Sequence, residues 1–178
     1  ILSFKKNPFF NNIKESVNII EDGGILIKNG VIAEVDNFLT IKKKNSLAKT
    51  YDYGRHLITA GFIDCHMHYP QTGIISSFGK RLIDWLNDYT FPEEKKFIDP
   101  EYASKIASLT LNLCLQNGTT TVSSFCTSSP ISVNKFFEEA NKREMCVVAG
   151  KTCMNRNAPE YLLDTVNSSY DESKKLIK

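Results

Sequence analysis

Up to residue 58 the apolar positions come in short runs separated by turn residues. Ile25, Leu26 and Ile27 precede Asn29-Gly30, and Val31, Ile32 and Val35 follow it. Asn-Gly tolerates positive φ at two successive positions, so this pattern predicts a tight β-hairpin. Asp22-Gly23-Gly24 reads as a second turn, and residues 42–49, opening on Lys42-Lys43-Lys44, read as a polar loop. The segments suffice for a small sheet, and none is long and apolar enough to build a large core.

From residue 57 the pattern alternates between strand-like and helix-like stretches. Residues 57–64 form an apolar run that predicts a buried strand. Leu82, Ile83, Trp85 and Leu86 predict a short helix ending before Phe91-Pro92. A longer helix follows, with Asp99 as its cap, Pro100 at its first position and Gly118 as its left-handed terminator. Tyr102, Ile106, Leu109 and Leu113 would be its apolar stripe, opposite Glu101, Lys105, Ser108, Asn112 and Gln116. Residues 119–125 read as a β-branched strand. Residues 132–142 read as a helix buried through Phe136, Phe137 and Ala140, and residues 145–150 as a third buried strand. Ser169 and Glu172 have the spacing of a capping box that would open a last helix.

Strand and helix in alternation define the α/β class, with a parallel sheet and crossover helices. Three such strands cannot close a (β/α)8 barrel, which needs eight. The chain opens on Ile rather than Met and stops with Leu176 and Ile177 still apolar, so it is expected to be an incomplete chain. Its natural division is residues 1–58, a small β region, and residues 59–178, three β/α units.

Composition narrows the function without naming it. With 42% hydrophobic and 24% charged residues, the 178-residue chain is that of a globular protein. A net charge of +2 gives no electrostatic case for nucleic acid or a membrane surface as partner. The uncharged portion near residues 106–134 is rich in Thr, Ser and Asn, which argues against a membrane span. Five cysteines without a Cys-x-x-Cys spacing point to free thiols and a reducing, cytoplasmic setting.

The candidate chemistry lies in Gly61-Phe-Ile-Asp-Cys-His-Met-His-Tyr-Pro-Gln71. Side chains two apart on a strand share a face, so His66 and His68 project together and Met67 turns into the packing. Two imidazoles so placed can hold one zinc or similar divalent ion, although a catalytic site needs further ligands. His56, the third histidine, reads as a surface or loop residue. Cys65 is next to His66 and is expected on the opposite face.

This segment resembles the first-strand motif Pro-Gly-Phe-x-Asp-x-His-x-His of the amidohydrolase superfamily, with Ala60 where proline is usual. Within that superfamily four stretches are similar to guanine deaminases: Tyr69-Pro-Gln71, Leu82-Ile-Asp-Trp-Leu-Asn-Asp-Tyr-Thr-Phe-Pro92, Asn117-Gly-Thr-Thr-Thr121 and Gly150-Lys-Thr-Cys-Met-Asn-Arg-Asn-Ala-Pro159.

The resemblance implies the first part of a (β/α)8 TIM-like barrel preceded by strands of a small β-sandwich. It also implies one Zn2+ per active site and hydrolysis of guanine to xanthine and ammonia. His66 and His68 match metal ligands. His68, Tyr69, Pro70 and Gln71 match the guanine-contacting stretch, and the Gln71 amide can both donate and accept. Trp85 resembles a pocket-wall aromatic and fits equally a core position of its short helix; Arg156 is open between a structural and a site role. The catalytic Glu and the remaining ligands of such enzymes lie later in their chains, so these 178 residues alone are expected to be inactive, and the complete protein is expected to be a homodimer. The competing readings are a deaminase of a different amino-heterocycle and an amidohydrolase-like protein without catalysis.

Overall fold

The computed structural model describes residues 1–177 and divides into two compact units, Ile1–Ala60 and Gly61–Lys178. In the first unit β1 (Leu2–Phe4) precedes a single helical turn, α1 (Ile13–Ser16), and pairs antiparallel with β2 (Val17–Ile19). The hairpin forms where Asn-Gly predicts it. β3 (Gly23–Lys28) turns at Asn29 and Gly30, with φ of 53° and 77°, into β4 (Val31–Asn37).

Two expectations for this unit fail. Gly23 and Gly24 lie inside β3 rather than in a turn. Their missing side chains admit close neighbours instead, since a Cβ on Gly23 would sit 2.7 Å from the Ile1 side chain. The lysine run is also helical: α2 (Phe38–Lys44) starts where the Asn37 side chain accepts the Leu39 N–H, and it buries Ile41. A good cap and a single buried side chain outweigh the polarity of the lysines, which are themselves good helix formers.

The second unit is an α/β layer. β5 (Phe62–His68) is followed by α3 (Leu82–Trp85), α4 (Phe91–Lys95) and α5 (Pro100–Gln116) before β6 (Thr119–Phe125). Then come α6 (Pro130–Lys142), β7 (Cys146–Gly150) and α7 (Val166–Leu176). The strands form one parallel sheet in the order β5-β6-β7. Its core gathers Tyr69, Phe97, Ala103, Ile106, Ala107, Leu111, Val122, Cys126, Val133 and Phe136.

β5 starts five residues later than the apolar run and extends through both histidines. Phe62 and Ile63 remain exposed, because among the described residues β5 pairs only with β6. Strand limits follow the ladder, which hydrophobicity alone does not reveal.

Pro92 does not end the helix before it. The chain passes from α3 into α4 through a wide turn, Leu86–Thr90, in which the Phe91 N–H reaches back to the Leu86 carbonyl. Such a π turn absorbs the N–H that proline lacks.

α5 has the cap and terminator foreseen: Asp99 accepts the Glu101 N–H, and Gly118 has φ 81°. Its buried face is Ala103, Ile106, Ala107, Thr110 and Leu111, while Leu109 and Leu113 are 45% and 38% exposed. Small residues let α5 approach α6 and the turn after β5, so the close-packed face is the alanine side.

α6 begins two residues early, on a Ser129 cap, and leaves Phe137 exposed. β7 is only half covered, with Val148 65% exposed. The capping box of α7 is Thr165 and Ser168 rather than Ser169 and Glu172, because Ser168 Oγ returns to the Thr165 N–H.

Candidate metal and substrate site

The histidines occupy the carboxyl end of β5, the end at which parallel α/β sheets place their chemistry. Asp64 pairs with Val122 and Met67 with Ser124, so β5 carries one extra residue around Cys65 and His66. This bulge interrupts the simple alternation, and Asp64 Oδ1 accepts the His66 N–H at 3.0 Å. Beyond it Met67 packs on the core, as expected of the residue between the two ligand candidates.

The His66 and His68 ring centroids are 5.3 Å apart at 73°. Phe125, at the matching end of β6, lies 5.6 Å from the His66 ring and stacks on His68 at 5.0 Å. Burial, and then the charge of His66, lowers the His68 pKa, which favours the neutral imidazole that binds metal.

These two side chains fit a divalent ion as part of its ligand set. Among the described residues no group of three or more His, Cys, Asp or Glu side chains completes one. Cys65 is exposed on the bulge. Cys126, which follows β6, is buried, and burial pushes its thiol up to about 12. His56 is exposed in the first unit, its Nδ1 against the Tyr53 carbonyl.

After His68 the chain enters a tight turn, Tyr69–Ile74, held from several sides. Tyr69 is fully buried. Its N–H donates to Ser124 Oγ at 3.2 Å and its hydroxyl to the Ser132 carbonyl at 2.6 Å. Its ring stacks on Phe136 at 4.5 Å and meets Phe97 edge-on at 5.4 Å. Pro70 is buried beside it, while Gln71 is half-buried. Thr72 and Thr110 share a 2.7 Å hydroxyl contact.

A Cβ on Gly73 would fall 2.5 Å from Glu93 Oε1, so glycine lets α4 close on the turn. Glu93 is itself bound by the Tyr102 hydroxyl and by Lys96 at 2.6 Å. Glu94 is also buried; burial raises its carboxyl to about 7, and a hydrogen bond with the Gln71 side chain offsets part of the rise.

Trp85 is half-buried and its indole N–H donates to the Ser77 carbonyl at 3.1 Å, tying down the loop ahead of α3. Arg156 is exposed in the loop after β7. At the end of β7 Lys151 is 1% exposed and bridges Asp164 at 2.8 Å and Glu172 at 2.6 Å.

Phe125, Glu94 and Lys151 were missed by the sequence reading. Only for Phe125 was there a signal: it ends the strand next to β5, so a parallel register sets it beside His68.

A bulged strand end carrying His-x-His, in a parallel α/β sheet, has a counterpart among known proteins. The amidohydrolase family model matches residues 57–178, and the chain belongs to that family. It is 42% identical to the guanine deaminase of Escherichia coli K12 over 173 residues, 97% of this chain and 39% of that protein.

Among solved structures, E. coli guanine deaminase superposes with a TM-score of 0.88 at 40% identity, covering 99% of this chain and 41% of that one. The guanine deaminase of C. acetobutylicum, solved with guanine bound in its active site, superposes with a TM-score of 0.80 at 29% identity, covering 99% and 41%. The chain thus spans about two fifths of the length of the relatives it matches.

Proposed function

We propose that the protein of which these residues are part hydrolyses guanine to xanthine and ammonia, with His66 and His68 as two ligands of a zinc ion. The observation that carries this reading is the His66–His68 pair at the carboxyl end of β5, set directly before a turn that brings Gln71 to the same end. Similarity to guanine deaminases supports the choice of substrate.

A bound zinc ion would supply the Lewis acidity that makes water a nucleophile near neutral pH. The residues in hand prepare the site around it. Phe125 restrains the His68 ring, Tyr69 and Pro70 anchor the stretch from below, and Gln71 offers both a donor and an acceptor to the purine edge. Trp85 shapes the neighbouring wall through its hold on Ser77. Water adds to the ring carbon bearing the exocyclic amine, the amine leaves as ammonia, and the added oxygen remains as the carbonyl of xanthine. Residues 1–58 belong in this reading to a β-sandwich domain and residues 59–178 to the barrel. With no complete ligand set among the described residues, the 178 residues alone would not turn over.

The test is ammonia release by the intact native protein, with guanine, adenine and cytosine in parallel and bound metal counted by mass spectrometry. Guanine turnover that falls together with zinc content in His66→Ala and His68→Ala is expected. Turnover of cytosine but not guanine would overturn the assignment.

A further inference from the structure

His66 and His68 share the carboxyl end of β5, yet the strand alone does not fix their ring planes, because the second torsion of a histidine side chain is broad. A histidine that binds metal is commonly oriented through its other ring nitrogen, by a carboxylate or a carbonyl. Among the described residues the histidine ring that makes a hydrogen bond is that of His56, and the bond from His66 to Asp64 runs through the backbone N–H. The rings of His66 and His68 meet one side chain in common instead. Phe125 stacks on His68 at 5.0 Å and 23° and meets His66 edge-on at 5.6 Å and 70°, separations at which aromatic rings attract.

Phe125 is itself held in place. It stands between His68 on β5 and Gly150 on β7. A Cβ built on Gly150 would have nothing within 4 Å, so the phenyl ring leans away from β7 and over β5. One buried hydroxyl ties its backbone to the residue after His68: Ser124 Oγ accepts the Tyr69 N–H at 3.2 Å and donates to the Phe125 carbonyl at 3.0 Å. Phe125 lies outside the core cluster that joins sheet and helices, and it is 46% exposed. Its place at the end of β6 is therefore not explained by the core, whereas its aromatic contacts are the two ligand candidates.

We propose that Phe125 is a positioning residue for the metal: it holds both imidazoles near the orientation in which they bind zinc, before the ion arrives. This rests on His66 and His68 being zinc ligands, as proposed above. Ordering a free side chain on binding lowers affinity, and a side chain already ordered by the fold avoids that loss. Releasing two histidines from the ring corresponds to about a tenfold weaker zinc complex.

The experiment is the zinc affinity of the intact protein, with the metal-free form competing against a chelating dye and a urea melt of that form as the check on folding. Phe125→Leu removes the ring plane and is expected to raise the zinc Kd about tenfold. Phe125→Tyr keeps the plane and is expected to stay near the native Kd. Phe125→Met, flexible and without a ring, should weaken zinc as Phe125→Leu does, and it carries the test if Phe125→Leu does not fold. With His68→Ala already present, Phe125→Leu should weaken zinc less than it does in the native protein, because one of the two rings it steadies is gone.

Native zinc affinity in the folded Leu and Met variants overturns the positioning role. Equal weakening in Phe125→Tyr, or an effect of Phe125→Leu undiminished by His68→Ala, overturns it as well. If His66→Ala and His68→Ala lose zinc while the Phe125 variants keep it, only this inference falls. If both alanine variants keep native zinc affinity, the ligand assignment falls and the inference goes with it.

Discussion

Glu94 makes a prediction about stability that is independent of turnover. Its carboxyl titrates near 7 in the fold against an ordinary 4.5, with burial as the main cause. Below about pH 4.5 the group is protonated in the folded and unfolded chains alike and contributes nothing. Between there and about 7 the folded chain holds the proton more tightly, so stability falls as pH rises. Above 7 the whole cost is present, about 3 kcal/mol from the shift alone. Glu94→Gln removes the ionisation and keeps nearly the same side-chain volume in the buried position. The variant should therefore match the native protein in unfolding free energy from urea titration at pH 4.5 and exceed it at pH 8.5 by up to about 3 kcal/mol. A stability difference that is the same at both pH values would refute the argument, since it would arise from packing rather than from a buried charge.

Three further outcomes follow from other contacts. Lys151→Met should destabilise by about 3–5 kcal/mol in denaturant melts, because it strands the buried Asp164 carboxylate, whose side chain is 8% exposed. Tyr69→Phe should cost only about 1 kcal/mol in the same melts, since both ring contacts survive and one neutral hydrogen bond is lost. Glu139 is held at about 2, chiefly by Lys142, with Arg143 and Ser104 adding to it against burial. Its contribution is present above the ordinary 4.5 and is lost as pH falls towards 2. Glu139→Gln should therefore flatten the acid limb of the stability profile, and an unchanged limb would remove Glu139 from the account.

What could be read from the sequence was what local chemistry decides. Asn29-Gly30 marks a hairpin because positive φ is a property of those two residues. Asp99, Pro100 and Gly118 bracket α5 because capping acts within one turn. The limits of β5 were not legible, because they depend on which residues of β6 stand opposite, and the bulge at Cys65 and His66 exists only in that pairing. Nor were the exposures of Leu109 and Leu113, since residue size suggests them as the packing face while close approach favours Ala103 and Ala107. The two histidines were visible as a motif. Glu94 was not, because α4 meets the turn after β5 only after a π turn carries the helix past Pro92.

The sheet topology also bears on the order of folding. β6, α6 and β7 follow one another directly, whereas all of the chain from Tyr69 to Gly118 separates β5 from its partner strand. Closing the longer loop costs more chain entropy before any contact compensates it, so β5 should dock on a β6–α6–β7 unit that has already formed. Substitutions in β5 should then speed unfolding and leave the folding rate unchanged, with φ-values near zero; values near one would reverse the order. The bulge at Cys65 and His66 and the packing of Phe125 on both imidazoles would in that case form only at the last step, and a metal ion that needs them would act on the native state after the rate-limiting barrier, slowing its loss rather than hastening its formation.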